Sequence, residues 1–259
     1  MFHFFKKKEQ SKESIEVKPL EEDYNDVTPI ADYFYNETGI TFEKQIGILK
    51  NKVTSFCKQK KIASFEQLLQ DIKSKPSLKQ EIIDYLTTNE TYFYREFSQI
   101  QELVQLIKHS NHNVKILCAP SATGEEPYSI AIALLEAGIS TEGIEILGID
   151  INQEALTKAN IAIYSQRHIR NLSLEILDKY FIEKDDNFVL KENIKSLVDF
   201  QLANIFSESF QNLGKFDFVF SRNMLIYFDK ETKQKAKAIL EHMRKDDTYD
   251  VFFGHADLF

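Results

Sequence analysis

Apolar positions along the chain follow two different periods, and the changeover falls near residue 111. From Ile46 onward, Ile46, Leu49, Val53, Phe56 and Cys57 recur at the 3.6-residue spacing that puts side chains on one helix face. Phe65 to Ile72 has the same amphipathic character, Pro76 interrupts it, and Leu78 to Leu86 resumes it. Residues 19–86 are therefore expected to form a helical N-terminal domain, with residues 87–110 as an interdomain linker and helix. Beyond residue 111 short apolar runs alternate with helical stretches. The strand candidates are Val114–Cys118, Ile144–Ile149, Phe216–Phe220 and Val251–Phe253; the helices are Tyr128–Ala137, closed by Gly138, then Gln153–Ala162 and about Lys230–Met243. Such alternation predicts an α/β domain over residues 111–259, with a parallel sheet covered on both faces. Within it, Phe188–Leu190 and Leu197–Phe200 predict a small antiparallel excursion, about residues 173–198, running into a further sheet strand near Asp199–Leu202. Residues 1–18 are charged and aperiodic and read as a mobile tail.

Composition narrows the picture only modestly. The 259 residues are 43% hydrophobic and 28% charged, an ordinary globular balance. Two cysteines, Cys57 and Cys118, sit in unlike contexts, which gives neither a disulfide framework nor a zinc spacing. No bound metal is expected. The net charge of −8 argues against a nucleic-acid partner, because phosphate binding wants a basic face. No apolar run is long enough for a membrane span, and the phenylalanines of Met1–Lys8 precede the lysines, the reverse of a secretory signal. The expected location is the cytoplasm.

The loop Ala119-Pro-Ser-Ala-Thr-Gly-Glu-Glu-Pro-Tyr-Ser129 leaves the first strand and opens a helix, where a doubly wound sheet binds its ligand. Glu125 and Glu126 offer carboxylates to a cationic group, or simply favour the helix dipole. Asp150 ends the second strand, at the position where an acid accepts hydrogen bonds from a ribose diol; capping the next helix is the plainer alternative. Strand, loop and acid favour a nucleoside ligand. The loop has Gly124 alone rather than G-x-G-x-x-G, which counts against a dinucleotide.

Five ordered segments carry a more specific signal: Thr88-Asn-Glu-Thr-Tyr-Phe-Tyr-Arg-Glu96, Thr123-Gly-Glu-Glu-Pro-Tyr-Ser129, Asp150-Ile-Asn152, Asn204, and Phe216-Asp-Phe-Val-Phe-Ser-Arg-Asn-Met-Leu-Ile-Tyr-Phe-Asp229. Together they resemble the CheR family of chemotaxis receptor methyltransferases, over roughly residues 20–257, and Gly254-His255 resembles that family's last motif. The resemblance implies a helical N-terminal domain and a Rossmann-like S-adenosylmethionine-dependent methyltransferase domain with an inserted β-subdomain. It implies methyl transfer to glutamate side chains of the cytoplasmic domain of chemotaxis receptors, with S-adenosylhomocysteine as product. Carried over by residue, Asn89, Thr91 and Arg95 line the cofactor pocket from the interdomain segment. Glu126 meets the methionine or ribose end, Asp150 the ribose or adenine end, Asn204 and Ile205 flank the adenine, and Ser221, Arg222 and Asn223 close the pocket. Arg95 and Tyr227 match the residues beside the transferring methyl group. The chain departs from the family at Ala119-Pro120, at Asp246–Asp250 where relatives carry a glycine turn, and at the sheet edge, where relatives continue into a further strand.

Two further expectations concern the acceptor. On a helical wheel Lys50 and Lys61 fall within about 20° of each other and Lys58 about 80° further round, a basic flank expected to dock the acidic helical methylation region of a receptor. The stretch Phe181–Leu190 has no glycine to supply positive φ for an insertion, so no dependence on a receptor C-terminal pentapeptide is expected. A regulatory module that binds S-adenosylmethionine without efficient turnover, and a methyltransferase with another acceptor, stay open at this level.

Overall fold

The computed structural model describes residues 22–108 and 113–258; the tail expected over residues 1–18 lies outside them. The helical domain comprises α1 (Thr28–Thr38), α2 (Ile46–Lys60), α3 (Phe65–Ser74) and α4 (Pro76–Leu86). Leu49, Val53, Phe56 and Cys57 are buried on one face of α2, against Phe65 and Leu68 of α3 and Ile82 and Leu86 of α4. Ile46, the first residue of the predicted stripe, is 43% exposed, because it opens the helix beside the domain boundary. Ser64 caps α3 by accepting from the Gln67 N–H. Helix α5 (Phe97–Lys108) then leads to the sheet.

The second domain runs β1 (Val114–Cys118), α6 (Glu125–Glu136), β2 (Ile144–Asp150), α7 (Gln153–Ile161), β3 (Ile163–Ser165), α8 (Gln166–Ile169), α9 (Leu174–Tyr180), β4 (Phe181–Lys184), β5 (Asn187–Leu190), α10 (Glu192–Lys195), β6 (Val198–Leu202), α11 (Glu208–Gln211), β7 (Phe218–Ser221), α12 (Lys230–His242) and β8 (Phe252–Phe253). The main sheet has the order β6-β2-β1-β7-β8 and is parallel throughout. Alternate residues of β1 serve opposite faces: Val114, Ile116 and Cys118 join one core, Leu117 joins the other. The chain leaves β1 for β2 and β6 on one side and returns to β7 and β8 on the other, so the crevice beyond β1 and β7 is a topological switch point.

The small sheet is antiparallel, in the order β3-β5-β4. Its third strand, Ile163–Ser165, begins before the boundary expected near residue 173. Phe188–Leu190 pairs with β3 and β4, whereas Val198–Leu202 belongs to the main sheet beside β2. The β4–β5 turn has two residues, Asp185 and Asp186, at φ 51° and 59°. Positive φ is therefore reached here without glycine, correcting that part of the sequence reading; aspartate tolerates the left-handed region in tight hairpin turns.

The two domains are joined by polar contacts around the crevice. Asn204 Nδ2 donates to the Glu37 carbonyl at 2.6 Å, and the Thr41 N–H donates to the Tyr227 carbonyl at 3.0 Å. Asn152 Nδ2 reaches the Asp84 carbonyl and Thr87 Oγ1, at 3.0 and 2.7 Å. Gly39, at φ 75°, closes α1 where a Cβ would lie 2.6 Å from Phe206.

Candidate active site

A cleft of about 750 Å³ opens between the helical domain and the C-terminal ends of β1, β2, β6 and β7. It is lined by Asn89, Thr91, Arg95, Glu126, Asp150, Asn204, Ile205, Arg222, Asn223 and Tyr227, drawn from five separate stretches of chain. Ser221 is fully buried beneath this lining and does not face the cleft itself.

Asp150 ends β2 with 4% of its surface exposed. Its Oδ2 accepts from the Ala122 N–H at 2.8 Å and its Oδ1 from the Asn152 N–H at 2.9 Å, so it fixes the loop after β1. Burial nevertheless raises its pKa to about 6, because these two bonds only partly offset lost hydration. The helix cap considered for Asp150 is instead supplied by Asn152, which accepts from the Ala155 N–H.

Glu126 sits in the first turn of α6 and pairs through Oε2 with Arg222 Nε; both side chains are buried. Arg222 is held in turn by the Arg95 carbonyl at 2.6 Å. Glu126 Oε1 has no protein partner among the described residues, and neither have Asn223 Oδ1, Ser121 Oγ and Ser221 Oγ. Buried acceptors are rarely left unpaired. Three of these residues, Glu126, Asn223 and Ser121, line the cleft, where a ligand presenting ammonium, amine or hydroxyl donors would satisfy them.

Arg95 and Tyr227 converge at the cleft. Arg95 Nη1 donates to the Glu90 carbonyl at 3.2 Å, and its guanidinium lies 5.6 Å from the Tyr92 ring centre. Tyr227 is 37% exposed, and burial of the rest raises its pKa against the opposing effect of the nearby Arg95 charge. Asn204 lines the cleft, donates one amide hydrogen to the Glu37 carbonyl and accepts through Oδ1 from the Phe206 N–H, which leaves its second amide hydrogen to donate.

The basic flank is placed differently from expectation. Lys61 lies past the end of α2, at φ 58°, so a helical wheel does not describe its position. Lys50 Nζ donates to the Asn25 carbonyl and Lys58 lies 6.0 Å from the Tyr24 ring, and none of the three lines the cleft. The lysines that line it are Lys44 and Lys52, with Ile48 between them, and Lys230 at the start of α12.

One carboxylate, Asp257, was not singled out in the sequence, and Glu125, offered there together with Glu126, does not line the cleft. Asp257 is completely buried and accepts from the backbone N–H groups of Asn223, Leu225 (2.8 Å) and Gly254 (3.2 Å). It thereby fixes the turn carrying Arg222, Asn223 and Tyr227; only its proximity to Gly254-His255 marks it in the sequence. Glu125 is buried against Thr123 Oγ1, and burial raises its pKa to about 7. Among the described residues no group of His, Cys, Asp and Glu is placed to hold a metal ion.

Residues 89–259 match the family described as CheR methyltransferase, SAM binding domain. A chemotaxis protein methyltransferase of Campylobacter jejuni is 38% identical over 224 residues, covering 85% of this chain and 84% of that protein. Chemotaxis protein methyltransferase 2 of Vibrio cholerae is 34% identical over 240 residues, 87% of this chain and 83% of its own. The Borreliella burgdorferi chemotaxis protein methyltransferase is 31% identical over 239 residues, 86% and 84%. With family match and relatives spanning both domains, the chain belongs to the CheR family and is an S-adenosylmethionine-dependent methyltransferase of chemotaxis.

Proposed function

We propose that the enzyme methylates glutamate side chains of the cytoplasmic domain of chemotaxis receptors, forming glutamyl methyl esters and S-adenosylhomocysteine. The observation that carries this reading is the meeting of Arg95 and Tyr227 in one cleft with the unpartnered Glu126 oxygen. Glu126 Oε1 would hold the ammonium of the cofactor and Asp150 the ribose diol. Asn204 and Ile205 would flank the adenine, with Asn89 and Thr91 closing from the linker and Ser221, Arg222 and Asn223 from the turn after β7. S-adenosylmethionine, when bound, supplies a methyl group activated by its sulfonium.

No residue has to act as a base. A glutamate acceptor, with a pKa of about 4.3, is already ionised at neutral pH. Arg95 would orient that carboxylate by charge-assisted hydrogen bonds while leaving one oxygen free to react. Tyr227, with its raised pKa, stays a neutral phenol and donates rather than repels. Alignment of this kind supplies several kcal/mol of the barrier.

Acidic receptor helices would approach the cleft past Lys44 and Lys52. Lys50, Lys58 and Lys61 sit on the outer flank and would steer by charge at longer range, an effect that weakens with salt. The two-residue β4–β5 turn leaves no inserted loop to hold a receptor pentapeptide, so we expect none to be needed. The reaction would take place in the cytoplasm. Peptide mapping by mass spectrometry of a receptor fragment incubated with enzyme and cofactor tests the acceptor: methyl groups on glutamate support the reading, and methyl groups on lysine or arginine, or none, would refute it.

A further inference from the structure

Two of the chain's five arginines, Arg95 and Arg170, lie against the Tyr92 ring, and a third, Arg167, adjoins Arg170. The Arg170 guanidinium lies 3.6 Å from the Tyr92 ring centre and that of Arg95 5.6 Å. Arg170 Nη1 donates to the Arg167 carbonyl at 2.9 Å, and Arg167 Nε donates to His168 Nε2 at 3.2 Å. Tyr92 and Arg95 line the cleft, whereas Arg167 and Arg170 are exposed, so the guanidiniums form a strip from the reaction centre to the surface.

None of the three is in an ion pair among the described residues; the arginine ion pairs there belong to Arg222 and Arg244. None of the neighbouring acids forms an ion pair with the strip. Glu90 offers Arg95 its backbone carbonyl, Glu96 faces His255, and Glu125, buried against Thr123, feels the charge of Arg167 without pairing with it. His168 adds no charge, since burial and then the two flanking arginines hold its pKa below the usual histidine value. Three unpaired guanidiniums on a chain of net charge −8 are out of keeping with its overall field, which repels acidic partners.

We propose that the Arg95–Tyr92–Arg170–Arg167 strip docks acidic residues flanking the target glutamate, and so selects acceptor helices that carry further carboxylates about one to two turns away. This rests on the glutamate-methylation reading above. With the target carboxylate at Arg95, residues one or two helical turns along lie about 5–11 Å further on, in the direction of the exposed arginines. Guanidinium suits this role because its planar fork bonds both oxygens of a carboxylate and its face stacks on the Tyr92 ring, which holds Arg170 in place.

The test uses the full chain and two synthetic helical peptides, each with one target glutamate, flanked in one by glutamates and in the other by glutamines. For the Arg167→Gln/Arg170→Gln double variant, KM for the acidic peptide should rise about three- to tenfold, with kcat and S-adenosylhomocysteine affinity unchanged, as expected for exposed ion pairs. KM for the glutamine-flanked peptide should be the same in variant and native enzyme. The exposed Arg167→Gln single variant, which removes no ring contact, should show a smaller shift in the same direction. An equal shift on both peptides, or none, would overturn the proposal. Fluorescence anisotropy of labelled peptide reads docking without turnover: charge-dependent binding without esterification would sink the acceptor reading and keep the docking strip, whereas equal binding of both peptides would sink the strip.

Discussion

Asp150→Asn should separate stability from cofactor binding. The substitution keeps shape and removes charge at a side chain that is 4% exposed. Burial lifts the Asp150 pKa from 3.8 to about 6, so at neutral pH the folded state holds an anion it would rather protonate. A rise of about two units corresponds to a folding cost of about 3 kcal/mol at pH well above 6. Because the folded pKa is raised, the associated stability is fully present below about pH 4 and is lost as pH rises through about 6. The asparagine variant escapes this cost. It also gives up one of the two bonds to the Ala122 and Asn152 N–H groups, since an amide nitrogen cannot accept, at about 1–3 kcal/mol. The two effects nearly offset, so the variant should unfold at or slightly above the native temperature near neutral pH, and its advantage should vanish in acid. Ligand affinity should move the other way. Loss of a charged acceptor for the ribose diol costs about 1.5–3 kcal/mol, or roughly ten- to hundredfold in S-adenosylhomocysteine affinity. Titration calorimetry above pH 7 combined with thermal unfolding reads both. Native affinity in a folded variant would refute the role of Asp150 at the ribose, and severe destabilisation at neutral pH would refute the linkage.

Arg95→Ala and Tyr227→Phe should stay folded and bind S-adenosylhomocysteine, yet lose about ten- to hundredfold in kcat/KM, the cost of a hydrogen bond to a charged group; full activity at saturating substrate in either would remove it from the reaction centre. Asp257→Asn should lower the unfolding temperature and methyl transfer together, because one amide oxygen cannot serve the three backbone donors of the Asn223 turn, leaving a deficit of about 1–3 kcal/mol; unchanged melting and activity would show that the turn holds itself. Gly39→Ala should cost about 1–3 kcal/mol, since its Cβ would meet Phe206 at 2.6 Å and Thr232 at 2.8 Å with φ at 75°; denaturant unfolding indistinguishable from native would show that the domain joint yields.

The strands β1, β2 and β7 were legible because each is a mainly apolar run bounded by turn residues, with Lys115 and Glu145 confined to the starts of β1 and β2. β3 was not: three residues following α7 look like the helix tail, and only its pairing with β5 makes it a strand. The wheel failed at Lys61 because the helix ends one residue earlier in a left-handed cap that no glycine announces. Many cleft-lining residues could be found from the ordered motifs, since four of the five lie at the end of a main-sheet strand that points at the switch point, whereas Thr88–Glu96 arrives from α4. What the motifs did not convey is how the polar atoms are spent. The Asn204 amide goes to the Glu37 carbonyl, far away in sequence, and the Asp257 carboxylate to backbone donors across the turn. Arg167 and Arg170 carry no periodic signal and acquire meaning only when folding brings Arg170 to Tyr92, with Arg167 beside it.

The chemistry of the product tests the central claim most directly. Enzyme, S-adenosylmethionine labelled in its methyl group and a cytoplasmic receptor fragment are incubated together, the protein is precipitated, and the pellet is treated with alkali. Glutamyl methyl esters hydrolyse, so the account predicts that the protein-bound label is released as volatile methanol. Label that stays on the protein through alkali, as methylated lysine or arginine would, or a fragment that takes up no label at all, would contradict it.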